Sequence, residues 1–153
     1  MLKIAAILLA VIVIAVLAYI RLAPSRADVW HVDPLTAKMP KTPNAFILRP
    51  GYGEKPVPEF AISAAALAQK FDAMVMSEPR VSRLAGSAAE LWVTYLVRTK
   101  WMGYPDYVSV KFVAISNTRS TLAIFSRSRF GKSDLGVNRA RVQGWLVRLQ
   151  DGT

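Results

Sequence analysis

LWVTYLVRTKWMGYPDYVSVKFVAISNTRSTLAIFSRSR, residues 91–129, decides the fold. From Leu91 to Lys100 the pattern repeats every second residue. Leu91, Val93, Tyr95 and Val97 face one way, and Trp92, Thr94, Leu96 and Arg98 the other. Met102-Gly103-Tyr104-Pro105-Asp106 interrupts the run as a loop. Tyr107 to Ile115 resumes it, with Val108, Val110, Phe112 and Ala114 on one face. Ser116-Asn117-Thr118-Arg119 turns the chain, and Thr121 to Arg129 returns as a hairpin partner. Upstream, Val81 to Ala85 gives a shorter strand, closed by a turn at Gly86-Ser87. Sequential strands with such short turns pair antiparallel, because a parallel pair needs a long crossover.

Helical spacing flanks the strands. After Ser63, an N-cap residue, Leu67, Phe71, Met74 and Val75 share a face, and Pro79 limits the helix. Ser133 or Asp134 caps a last helix whose apolar face is Leu135, Val142, Trp145, Leu146 and Leu149. Arg139, Arg141, Gln143 and Arg148 lie largely off that face. The expected class is α+β: one N-terminal transmembrane helix, then an antiparallel β meander packed by two helices on one face. There is no internal repeat.

From Ile4 to Ile20 the chain carries no charge. At about 1.5 Å per residue this run reaches roughly 26 Å, near the ~30 Å hydrocarbon core of a bilayer. Leu2 extends it at one end; Leu22 and Ala23 extend it at the other when Arg21 lifts its charge to the interface. Tyr19 stands where an interfacial aromatic belongs, and Pro24 stops the helix. The run exceeds the roughly 7–15 apolar residues of a signal peptide, and Ser25-Arg26-Ala27, which loosely resembles a cleavage site, has an arginine at its centre. Residues 1–23 therefore read as a transmembrane anchor.

Seven prolines between Pro24 and Pro58 forbid a long helix or a central strand, so 24–58 reads as an extended linker lying along the domain or the membrane. Within it, Asn44 to Arg49 reads as one short edge strand and Gly51-Tyr52-Gly53 as a turn. Residues 59–153 are left for the α+β domain. On sidedness the signals conflict. Arg21, Arg26, Lys38 and Lys41 after the span favour a cytoplasmic domain; the short basic N-tail is that of an exported chain.

The formal net charge is +10, and the anchor contributes only Lys3 and Arg21 to the cations. Such a surplus favours anionic neighbours: lipid headgroups, acidic protein surfaces or nucleic acid, the last being the least suited to an anchored chain. With no cysteine and one histidine, thiol chemistry, Fe–S clusters and zinc sites of cysteine or histidine are excluded. No cofactor or metal is expected.

Ser126 to Arg141 is the most information-dense stretch. It runs from a strand end through a turn to a helix start. Arg127, Arg129, Lys132, Ser133, Asp134, Asn138 and Arg139 form the candidate anion- or partner-binding set, because a helix N-terminus offers free N–H groups and partial positive charge. The structural alternative has Ser133 and Asp134 capping, Asn138 tying a loop, and the arginines solvated. Gly131-Lys132-Ser133 ends like a P-loop, but Ser126 stands where its first glycine is needed. His31 beside Asp33 lacks a positioned nucleophile. Around the middle loop, Trp101, Tyr104 and Tyr107 offer an aromatic surface for a membrane interface or a partner groove, or pack in the core.

Met102 to Val110, Ser126 to Gly131, and Ser133-Asp134-Leu135-Gly136-Val137-Asn138-Arg139 together resemble a bacterial family catalogued as domain of unknown function 1499, over roughly Asn44 to Leu149. Many members resemble this chain in having a signal or anchor helix. The chain departs from them at Ala45, where many carry a cysteine, so a cysteine-dependent role does not carry over. The resemblance implies an envelope location: the bacterial inner membrane, single-pass, with the C-terminal domain periplasmic. The expected function is that of a non-enzymatic accessory or assembly protein whose basic domain docks on a membrane protein complex or on anionic lipid. The alternative is a domain binding, or acting on, a small anionic ligand at residues 133–139. A hydrolase using Ser133 is weaker, since no base lies near it in sequence.

Overall fold

A computed structural model describes residues 1–52 and 56–152; Gly53, the last residue of the expected turn, lies outside them, as does Thr153. The chain order is α1 (Leu2–Leu22), α2 (Ala27–Trp30), β1 (Ala45–Leu48), α3 (Ala64–Met76), β2 (Val81–Ser87), β3 (Trp92–Arg98), β4 (Pro105–Ser116), β5 (Arg119–Ser128) and α4 (Val137–Asp151). The strands form one open antiparallel sheet in the order β1-β5-β4-β3-β2. β2 to β5 are a meander, and β1 adds a strand on the β5 edge.

The period-two reading fixes the faces. Val93, Tyr95 and Val97 lie beside Val108, Val110 and Phe112, and then Leu122 and Ile124, all buried under α3 and α4. α3 contributes Leu67, Phe71 and Val75; α4 contributes Val142, Trp145 and Leu149. Phe71 is the hub, edge-on to Phe112 at 5.5 Å and to Trp145 at 5.7 Å. Its helix starts as expected: Ser63 accepts from the Ala66 N–H at 3.2 Å.

Two helical expectations fail. The N-cap of α4 is Gly136, not Ser133 or Asp134. Leu135 is not on the apolar face of α4. It precedes the helix at φ 52° and is 94 % exposed, and Gly136 follows at φ 82°. Two successive left-handed residues place the helix start at Val137, so the apolar face begins with Val142.

Residues of the proline-rich segment cover the opposite face of the sheet. Trp30 stacks on Tyr107, centroids 4.0 Å apart, and His31 on Trp92 at 3.9 Å. Asp33 pairs with Lys111 at 2.5 Å, and Arg49 donates to the carbonyls of Pro34, Leu35 and Ala37. A small second cluster of Ala37, Ile47 and Phe125 closes this side.

Most of α1 stands clear of the domain, and only its last turns meet it. Of its residues only Ile20 is buried, and the apolar side chains from Ile4 to Val16 are exposed. A bare 21-residue apolar helix finds its partner in hydrocarbon; the protein is single-pass in a membrane.

Candidate functional site

At the start of α4, Asn138 is fully buried. Its amide nitrogen donates to the Asn44 carbonyl at 3.0 Å, to Ser128 Oγ at 3.0 Å and to Asp134 Oδ2 at 2.7 Å. Its amide oxygen accepts from Ser126 Oγ at 2.5 Å and from Arg141 at 2.9 Å. Arg141 continues to Asp106 at 2.6 Å, in a pair with side-chain exposures of 11 % and 4 %. Asp134 folds back over the helix start, accepting from the N–H groups of Gly136 and Asn138. Burial pushes the Asp134 carboxyl up, but these N–H groups and the Asn138 amide outweigh it and hold the group below its ordinary value. The chain's own carboxylate thus sits on the helix N-terminus. Asn44 adds a link from the segment before β1 by donating to the Gly131 carbonyl at 2.9 Å. The network bonds α4 to β5, β4 and the start of β1.

The other candidate residues go elsewhere. Arg127 alternates with Ser126 and Ser128 along β5, so it lies on the opposite face. There its guanidinium rests on Phe125 and Trp30 at 4.6 and 4.8 Å and donates to the Trp30 carbonyl. Burial pushes it down to about 10, which leaves it charged near neutrality. Arg129 donates to the Pro24 carbonyl at 2.8 Å, tying β5's end to the exit of α1. Arg139 lies over Phe46 at 5.1 Å. Lys132 and Ser133 are exposed. The aromatic trio divides likewise. Tyr107 is buried beneath Trp30, with its hydroxyl 2.8 Å from Ser25 Oγ. Tyr104 meets Phe130, which meets Tyr19 of α1. Trp101 is 81 % exposed.

These positions define one end of the domain. The start of β2, the end of β3, the start of β4 and the end of β5 lie along one edge of the sheet, and the last turns of α1 meet it there. A cleft of about 500 Å³ between α1 and the domain is lined by Val16, Tyr19 and Ile20 on one side and Phe130, Ser133 and Val137 on the other. Val16 precedes Arg21 by five residues, about 7.5 Å along the helix axis. The loop from Phe130 to Val137 therefore runs beside the final apolar turns of the span. Leu135 and Val137 are exposed there, and on the β3–β4 loop Trp101 and Met102 are exposed as well.

Beside Trp101, Arg21, Arg80, Arg98 and Lys100 line a smaller cleft of about 270 Å³. Arg21 donates to the Trp101 carbonyl, Arg98 to the Gly103 carbonyl at 3.0 Å, and Arg80 to the Arg98 carbonyl. Gly103, at φ 70°, lets the loop close on Arg21, since a Cβ there would come within 3.1 Å of Arg21 Cγ. Among the described residues, none of these four cations is in an ion pair. Arg21, Arg80 and Arg98 are far apart in sequence and share no motif. The usable signal was register: Val81 pairs with Val97, which sets Arg80 next to Arg98.

No curated protein matches the chain. The family model described as "Protein of unknown function (DUF1499)" matches residues 36–149, from the segment covering the second face of the sheet to the last turn of α4, and the chain belongs to that family.

Proposed function

We propose that this protein is a non-enzymatic accessory or assembly factor of the bacterial inner membrane, with its domain on the periplasmic side and docked on the bilayer that α1 crosses. The observation that carries this reading is the exposure of Trp101 and Leu135 on two loops flanking the end of the span. Exposed large apolar side chains are ordinary singly. Here they share one end of the domain with the helix that enters hydrocarbon and with a group of cations, the composition of a membrane-interface surface. Docking by this end leaves the rest of the domain free to meet a membrane protein complex.

The cysteine-free chain makes the test direct. Leu135→Cys and Asn117→Cys place one thiol each at opposite ends of the domain; Asn117 sits on the exposed β4–β5 turn. On intact spheroplasts a membrane-impermeant maleimide is expected to label Cys at 117 fully and Cys at 135 only after detergent. Equal labelling of both would remove the docked domain. Labelling of neither until lysis would move the domain to the cytoplasm.

A second reading is favoured by one feature, a groove of about 470 Å³ containing Lys38, Arg127 and Arg129 on the side covered by the proline-rich segment. A small anionic ligand fits its charge. The Arg127 guanidinium there is largely covered by Phe125 and Trp30, which ranks this reading second.

A further inference from the structure

We infer that Arg21, Arg80, Arg98 and Lys100 form a binding site for the phosphate of an anionic phospholipid headgroup. The inference rests on the proposed docking and names the ligand of that surface. Three separate parts of the chain meet in this cleft: the exit of the span, the start of β2, and the end of β3 with its loop. Their convergence sets four positive charges around one small volume with no carboxylate in an ion pair with any of them among the described residues. Like charges at close range repel, and an anion seated between them removes that cost.

The guanidinium groups are positioned rather than free. Each of the three arginines spends one donor on a loop or strand carbonyl, which orients the planar fork and leaves its remaining N–H groups available. An arginine fork matches phosphate oxygens in a two-point contact. Lys100 lies over the Trp101 ring at 5.0 Å, so the cation and the exposed indole project from the same loop. An indole at the headgroup level with a cation beside it is how interfacial anchors are built.

Position selects lipid over free phosphate. Arg21 is the first charge after the apolar run, so it stands at the boundary between hydrocarbon and headgroups. A site sharing that residue lies at the level where lipid phosphates are concentrated. Each basic group near an anionic surface strengthens binding by on the order of fivefold.

The test uses the full chain in mild detergent, with native mass spectrometry reporting retained lipid after addition of equal phosphatidylglycerol and phosphatidylcholine. Phosphatidylglycerol is expected to be retained preferentially. Arg80→Gln with Lys100→Gln should reduce that preference roughly tenfold or more. Both side chains are exposed, and Arg80→Gln gives up only its bond to the Arg98 carbonyl; adding Arg98→Gln, which also frees the Gly103 carbonyl, gives the stronger but less conservative variant. Equal retention of the two lipids by the parent, or an unchanged preference in the double variant, overturns the site. Competition by millimolar inorganic phosphate without any lipid preference assigns the cleft to free phosphate instead. Labelling of the thiol at 135 is read in the same double variant: lipid preference lost with protection retained supports the headgroup site, and loss of both together overturns a headgroup site separate from docking.

Discussion

Arg141→Ala lowers the stability of the domain by about 3–5 kcal/mol, because it leaves the Asp106 carboxylate buried without its partner. The same change takes donors from Asn138 Oδ1 and Ser126 Oγ, in a network where each member holds the next. Thermal unfolding of the full chain in detergent, followed by circular dichroism, should show a midpoint lower by roughly 10–30 °C. Asp106→Ala should do similar damage by stranding the guanidinium. Joining the two changes removes both charges, so the double variant should be more stable than the sum of the single losses by about 1–3 kcal/mol. A loss under about 1 kcal/mol for Arg141→Ala would mean that the pair contributes little and that α4 is held by apolar packing alone.

Trp145→Ala has a comparable cost, about 3–5 kcal/mol, for a different reason. Trp145 is buried where α3, α4 and the sheet meet, edge-on to Phe71 and Tyr95. Its removal opens a cavity that none of the three elements can close without losing register. Its indole N–H also donates to Glu78 at 2.8 Å, and Glu78 is paired with Arg148. Trp145→Phe keeps most of the ring contacts and loses that bond, so it should cost only about 1–2 kcal/mol. Equal losses for Phe and Ala would assign the effect to the hydrogen bond instead of the packing.

The sheet was legible because one physical regularity produces it. Val93, Tyr95, Val108, Val110 and Phe112 are apolar at every second position, and that face meets the core under α3 and α4. The same regularity separates Arg127 from Ser126 and Ser128, so Arg127 lies on the opposite side of the sheet from the two serines that bond Asn138. Leu135 was misplaced because apolar spacing cannot report backbone handedness; a left-handed residue ahead of Gly136 delays the helix and leaves the side chain outside. Tyr107 was grouped with an exposed loop because its cover, Trp30, comes from a segment 77 residues earlier. The four-cation cleft was hidden for the same reason: Arg21 reaches it only after the chain has folded back on its own anchor.

These losses share a cause. The network at Asn138, the Trp30–Tyr107 stack and the cation cleft all join residues distant in sequence, and local patterns carry no distance information. What they build is consistent across levels. The motif from Ser133 to Arg139 fixes α4 and, with it, a loop that exposes Leu135 beside the span. The β3–β4 loop exposes Trp101 on the other flank.

The depth of those two loops in a bilayer tests the docked domain most directly. A fluorophore attached to Cys at 135, 101 or 117 in the full chain, reconstituted in vesicles, is quenched either by brominated lipid or by aqueous iodide. Docking predicts strong quenching by brominated lipid and weak quenching by iodide at 135 and 101, with the reverse at 117. Iodide quenching at 135 and 101 equal to that at 117, with no effect of brominated lipid, would contradict it.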